Sequence, residues 1–277
     1  MVSNPAYNEH LYQSTDSKSS SFIDVELGQT STLGNEIMSN DGLFKYITNV
    51  YLFSGMGWIF TLVFAELMSL TITQSNYNVL VWIYIILGFV FTIFTSIISL
   101  KPSEIVVETN GDKREIISNF QVCNYFLFCF SLGMMISPSV YIVNNYNPII
   151  FPVSIGITTG IFILVQIITL RQKDLEGLKY YGPLMSCVGG LIMISIVELI
   201  LALADFDKIV CLISFGVNII SVIVFTCLIY VDTLKAIDSY NKSELNAIKC
   251  AIELVLDLVT ILLNIMDLLL KLISSDD

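Results

Sequence analysis

The sequence predicts an all-α, polytopic membrane protein of seven transmembrane helices with the last helix central. Three observations carry that expectation. Of 277 residues, 55% are hydrophobic and only 13% are charged, where a soluble domain carries about 25% charged residues. Seven apolar segments, spanning 47–73, 79–100, 117–143, 149–170, 183–204, 209–231 and 247–273, each reach the roughly 20 residues that cross the hydrocarbon as a helix. β-barrel strands would be about half as long and would alternate in polarity. Finally, Lys and Arg alternate between successive connections. They are present before the first segment (Lys18, Lys45), absent after it, and present again after the second (Lys101, Lys113, Arg114). The third connection has none, the fourth has Arg171, Lys173 and Lys179, the fifth only Lys208, and the sixth Lys235 and Lys242 with Lys249 beyond. Positive charge marks the cytosolic side, so the N-terminus is expected in the cytosol.

In chain order, residues 1–43 form a polar tail with no apolar run, expected to be disordered and cytosolic. The tail has no basic start and no apolar core, so it does not read as a signal peptide. Asn4-Pro5-Ala6-Tyr7 matches a sorting signal read by cytosolic adaptors, with a plain turn the plainer reading. The sole histidine, His10, lies here, which leaves no histidine for catalysis or metal binding in the membrane domain, residues 44–277. A net charge of −11 without a basic cluster argues against a nucleic-acid partner.

Within the segments, Gly55 and Gly57, Gly156 and Gly160, and Gly189-Gly190 are small residues that let helices approach closely, with the Gly156/Gly160 pair expected inside the bundle. Pro138, Pro148 and Pro152 bracket a short polar connection. Six cysteines in or beside apolar segments lack metal-like spacing and read as small packing residues. Glu66 and Glu198 lie toward segment ends, where snorkelling to the interface is the plainer reading. The functional reading makes them mouth acids that concentrate cations, while Asp205 and Asp207 near Glu198 read more plainly as a solvated loop.

The last two segments are the informative ones. Asp232 closes the sixth and Asp257 sits inside the seventh. An intramembrane acid costs about 2.5–3.5 kcal/mol on insertion scales and is by default a functional candidate. A turn near Asn241 brings antiparallel Asp232 and Asp257 to similar depth. Lys249, Glu253, Asp257, Thr260, Asn264, Asp267 and Lys271 follow steps of four and three along one helical face. Lys249 can pair with Glu253, and Asp267 with Lys271. The sixth segment carries its own thin polar face, Ser214, Asn218 and Ser221. Two facing polar stripes predict a hydrated seam. The same residues also fit a plain hydrogen-bonded lock between two helices.

These residues also carry a family resemblance. Val231-Asp232-Thr233 and the run 252–257 resemble the C-terminal signature of the Bax inhibitor-one family, also called TMBIM or Lifeguard proteins. That signature has Asp-Thr-Gln at the end of the sixth helix and an Ile-Asp-Leu-Phe-Leu-Asp-like run in the seventh, and the spacing between the two aspartates is kept. Leu234 stands where the family usually has Gln. Residues 133–138 and 157–162 look like its third and fourth helices, and the match covers most of 44–273.

Two carboxylates held close cannot both ionise easily and titrate as a unit. They form a proton-sensitive latch that can also bind a divalent cation transiently through Asp232 and Asp257. The resemblance implies a pH-sensitive calcium leak channel of endoplasmic reticulum, Golgi or endolysosomal membranes that suppresses cell death. It implies calcium as permeant ion, no cofactor, no enzymatic activity, and cell-death regulators as partners beside the lipid bilayer. Three competitors fit less well or compete directly. An intramembrane aspartyl protease needs Gly-x-Gly-Asp, and Val255-Leu256-Asp257 has no glycine. A seven-helix receptor would place its N-terminus outside, against the charge pattern. A non-conducting scaffold for cell-death proteins is the serious alternative.

Overall fold

The computed structural model describes residues 37, 40–99, 104–107, 113–172, 175–203 and 207–274. The polar tail up to residue 36, with the Asn4–Tyr7 motif, His10 and Lys18, lies outside the described residues, as do Lys101, Lys173 and Asp205. Seven long helices follow one another: α1 (Asp41–Ser69), α2 (Tyr77–Ser99), α3 (Asn119–Tyr146), α4 (Ile150–Leu170), α5 (Tyr181–Leu203), α6 (Asp207–Asn241) and α7 (Ala247–Ser274). Six of them are long and apolar enough to cross a membrane. The chain is thus a multi-pass helical membrane protein. The other helix, α7, carries Lys249, Glu253, Asp257, Asp267 and Lys271 along its length and is not in that set.

Helix starts follow local chemistry. Asn40 caps α1 by accepting from the Leu43 amide at 2.9 Å, so residues 41–43, assigned by sequence to the tail, are the first helical turn. Ser118 and Gln121 form a reciprocal capping box on α3. Within the helical fold, the connection between α2 and α3 carries a short hairpin, in which β1 (Glu104–Val107) and β2 (Lys113–Ile116) pair antiparallel.

The core is built around α3, α6 and α7 together with α1. α7 packs against α6, α1, α4, α3 and α2, and its Ala251, Leu254, Val255, Ile261 and Leu262 are fully shielded. α2 and α5 lie at the outside. Trp82, Ile86, Phe89 and Phe94 on α2, and Ile192, Met193 and Ile200 on α5, are apolar and exposed, the surface expected to face acyl chains.

The glycines divide in two. A Cβ on Gly57 would meet the Tyr125 side chain, and one on Gly133 would lie 2.9 Å from the Thr61 carbonyl, so the α1–α3 crossing depends on both. Gly55, Gly156, Gly160, Gly189 and Gly190 have nothing within 4 Å of such a Cβ. The expectation that Gly156 and Gly160 serve internal packing is therefore corrected, because that face of α4 is open. All six cysteines are free, with Cys129 and Cys250 buried and the others exposed.

Candidate functional site: the acidic seam between α6 and α7

α6 continues ten residues beyond the predicted end of its segment at 231, to Asn241. Asp232 therefore sits well inside a helix with ordinary turns on either side. Its side chain is 9% exposed. Asp257, ten residues into α7, is 6% exposed and lies within hydrogen-bonding reach of Asp232. The two aspartates singled out in the sequence are thus brought together. Neither carboxylate carries a donor when ionised, and Asp257 Oδ2 is buried with no hydrogen-bond partner among the described residues. A buried acceptor left unsatisfied costs about 1–3 kcal/mol.

The cation beside the pair was not anticipated. Lys235, one turn after Asp232, places Nζ 3.0 Å from Asp232 Oδ1 and 3.4 Å from Glu253 Oε2 across the seam. The same ammonium lies 4.0 Å from the centroid of the Tyr181 ring at the start of α5. Glu253 is therefore paired with Lys235 and not with Lys249, which is exposed. The sequence reading followed spacing along one helix, whereas the nearer cation stands on the neighbouring one. Beside this cluster, a second polar chain ties three helices together. Tyr51 on α1 donates to Gln166 Oε1 on α4 at 2.6 Å, and Gln166 Nε2 donates to Thr233 Oγ1 on α6 at 3.1 Å. Leu234, in the position where the resembled motif has Gln, is fully buried. A Cβ added to Gly177 would lie 2.5 Å from it.

The predicted seam does not run as one continuous stripe. Thr260 Oγ1 donates to the Leu256 carbonyl and Asn264 Nδ2 to the Thr260 carbonyl, both within α7. They satisfy their own helix and do not meet α6 in a hydrogen bond. Ser221 is buried on α6. Polar contact resumes about 15 Å further along α7, at 1.5 Å rise per residue. There Asn218 Nδ2 donates to Asp267, and Lys271 donates to both Asp267 and Ser214. Glu198 on α5 is within electrostatic range of Lys271 and Asp267, and its Oε1 is buried without a partner among the described residues. Glu66 lies elsewhere. It is half-buried and accepts from Asn144 Nδ2 at 3.1 and 3.3 Å, so the two acids weighed as mouth residues do not share a site.

The hairpin braces the turn between α6 and α7. Lys113 Nζ donates to the carbonyls of Tyr240 and Asn241, both at 3.2 Å, at the C-terminal end of α6. Glu115 accepts from the Ala247 amide at 3.0 and 3.2 Å at the start of α7. A cation thus meets a helix C-terminus and a carboxylate a helix N-terminus, the arrangement the helix dipoles favour. Ser243, in the turn, adopts a left-handed conformation at φ 62°. A cavity of about 320 Å³ opens there, between Ile105 of the hairpin and Lys235, Ser239, Asn246, Lys249 and Glu253. It leads onto the acidic cluster. Among the described residues no group of three or more His, Cys, Asp or Glu side chains is arranged to hold a metal ion.

A multi-pass helical membrane protein whose last two helices meet through paired aspartates is the class that fold and site define. The chain belongs to the Bax inhibitor family. The family model described as "Inhibitor of apoptosis-promoting Bax1" matches residues 43–274, nearly the whole of the membrane domain. A search of curated proteins finds no match to the chain. Family membership makes this an apoptosis-related membrane protein.

Proposed function

We propose that this protein is a pH-sensitive calcium leak channel of intracellular membranes, gated by Asp232 and Asp257, that regulates calcium homeostasis and restrains apoptosis. One observation carries the reading. Asp257 Oδ2 is buried and unpartnered beside a second buried carboxyl. Sharing a proton joins α6 to α7 through a hydrogen bond. Losing it leaves two like charges facing each other, which drives the helices apart or admits a cation. Calcium is the permeant ion and there is no resident cofactor. The role is transport, not enzymatic chemistry.

In this reading α7 crosses the membrane fully as the central helix. Its shielded apolar side and its contacts with five other helices support that placement. The alternation of Lys and Arg supports a cytosolic N-terminus, which puts the α6–α7 turn, the hairpin and the cavity on the cytosolic side. The endoplasmic reticulum, Golgi and endolysosomes are the membranes proposed. Glu198, near Asp267 and Lys271, would stand at the opposite mouth.

A second reading is a non-conducting scaffold that binds cell-death regulators, favoured by the family's description as an inhibitor of apoptosis-promoting Bax1. Purified protein in calcium-free liposomes separates the two. A leak channel admits external calcium, faster at one end of the pH range than the other. A scaffold leaves the vesicles as tight as empty ones.

A further inference from the structure

We propose that the cavity between the α1–α2 connection and the end of α3 binds a neutral sugar ring. The cavity measures about 500 Å³ and is lined by Gln74, Tyr77, Asn78, Tyr141 and Asn145. That volume falls within the roughly 300–1,000 Å³ of small-molecule sites. It shares no residue with the acidic cluster of α6 and α7, so the inference stands apart from the leak reading.

Three elements supply the lining. Gln74 stands in the connection, Tyr77 and Asn78 in the first turn of α2, and Tyr141 and Asn145 near the end of α3. Four residues apart on a helix, Tyr141 and Asn145 share one face. The Tyr77 and Tyr141 rings lie 5.6 Å apart between centroids and are tilted by 34°, and both residues are half-buried. Neighbouring amides serve the fold. Asn76 accepts from the Thr73 amide at 2.7 Å and donates to the Thr71 carbonyl at 3.3 Å, and Asn144 donates to Glu66. The five lining side chains differ from these, because none of them forms a hydrogen bond to another described residue.

Each amide carries two donors and one carbonyl acceptor, and each phenol both donates and accepts. A ligand that matches this set must donate and accept at several points, as adjacent hydroxyls on a ring do. The tyrosine faces suit the apolar C–H face of the same ring. Among the described residues no charged side chain lines the cavity, so a phosphate would find no cation there. A choline group can rest on two aromatic faces, but it has no donor or acceptor for the three amides. The sugar is either the head of a glycolipid or a free saccharide. Val79 and Trp82, each 65% exposed, follow directly on α2, so the surface expected to face lipid begins beside the cavity. In the orientation proposed above, this end of α2 faces away from the cytosol, the side on which lipid-borne sugars are displayed.

The alternative is an aromatic belt at the membrane interface, with the amides simply solvated. Native mass spectrometry of the full chain, solubilised in a detergent without sugar, distinguishes them. The protein is offered a hexosylceramide (glucosyl in one run, galactosyl in another), sphingomyelin and ceramide in equal amounts. The three lipids share a ceramide tail and differ in the headgroup. At least one hexosylceramide should be retained on the order of tenfold over both others, the equivalent of one or two hydrogen bonds. Tyr141→Leu removes a ring and Asn145→Leu an amide, and each should lower that preference about three- to tenfold. Tyr141→Phe keeps the ring and should lower it least. Excess methyl glucoside or methyl galactoside displaces the lipid if a free sugar suffices, and leaves it bound if the site takes membrane-borne sugar. Equal retention of the three lipids by wild type overturns the site and leaves the belt. Retention of sphingomyelin equal to the hexosylceramide overturns it too, as does a sugar preference that both leucine variants keep.

Discussion

The two ends of the α6–α7 interface use the same residue types to opposite effect. At the far end Asp267 is 40% exposed and bound directly by Lys271, with Asn218 and Ser214 filling the remaining valences. At the turn end Asp232 and Glu253 pair with one ammonium, and beside them Asp257 has a buried oxygen with no partner among the described residues. The first arrangement pairs Asp267 directly with a cation, and the unpartnered oxygen near it, Glu198 Oε1, belongs to α5 and not to the α6–α7 pair. The second sets three acids against one cation in a shielded place, an arrangement that costs stability. A polar stripe on a helix therefore does not by itself identify a pathway. The balance of charge at each station does.

The sharpest way to break this comparison is to neutralise one acid at each end and read thermal stability in detergent at mildly alkaline pH. Asp257→Asn supplies a donor where two carboxylates face each other and is expected to stabilise the protein by about 1–3 kcal/mol. Asp267→Asn removes an exposed partner of Lys271 and is expected to destabilise it by at most about 1 kcal/mol. Changes of the same sign would remove the distinction between the two ends.

A smaller effect sharpens the turn end. Lys113→Ala and Glu115→Ala each remove one charge that the hairpin presents to a helix terminus, an interaction of about 0.3–1 kcal/mol. Amide exchange over 241–247 should quicken in both variants, while exchange around Asp267 stays as in wild type. Equal exchange at the turn would show that the hairpin only rests against it.

The parts of this picture that were legible in the sequence share a cause. Asp232 and Asp257 stand out because an acid in an apolar run is costly, and the antiparallel turn fixes their depth whatever the side chains do. The Asp267–Lys271 pair was legible because both members lie on one helix, four residues apart. What escaped depends on neighbours that spacing along one helix does not reveal. Lys235 was counted among the charges of a connection, yet α6 runs on to Asn241 and carries the lysine one turn beyond Asp232. Its i,i+3 spacing was the available signal. Glu253 was matched with Lys249 on its own helix because the competing cation belongs to another. Thr260 and Asn264, expected on a seam facing α6, satisfy their own backbone instead. The hairpin had a signal that went unread: the β-branched Ile105-Val106-Val107, the turn-forming Asn110-Gly111, then a second short run. The open face at Gly156 and Gly160 shows the converse, a packing motif with nothing packed on it in the single chain.

Asp232 and Asp257 are proposed to act as one proton-sensitive unit controlling calcium passage. Calcium entry into liposomes, measured in steps from weakly acidic to neutral pH, tests it most directly in wild type, Asp232→Asn, Asp257→Asn and the double variant. Each single asparagine is nearly isosteric and keeps hydrogen bonding, so the fold should persist while the shared proton is lost. The account predicts that either substitution removes most of the pH dependence and that the double variant adds little, since coupled residues are not additive. Wild-type pH profiles in both single variants would contradict it, and the pair would then be a structural lock between two helices.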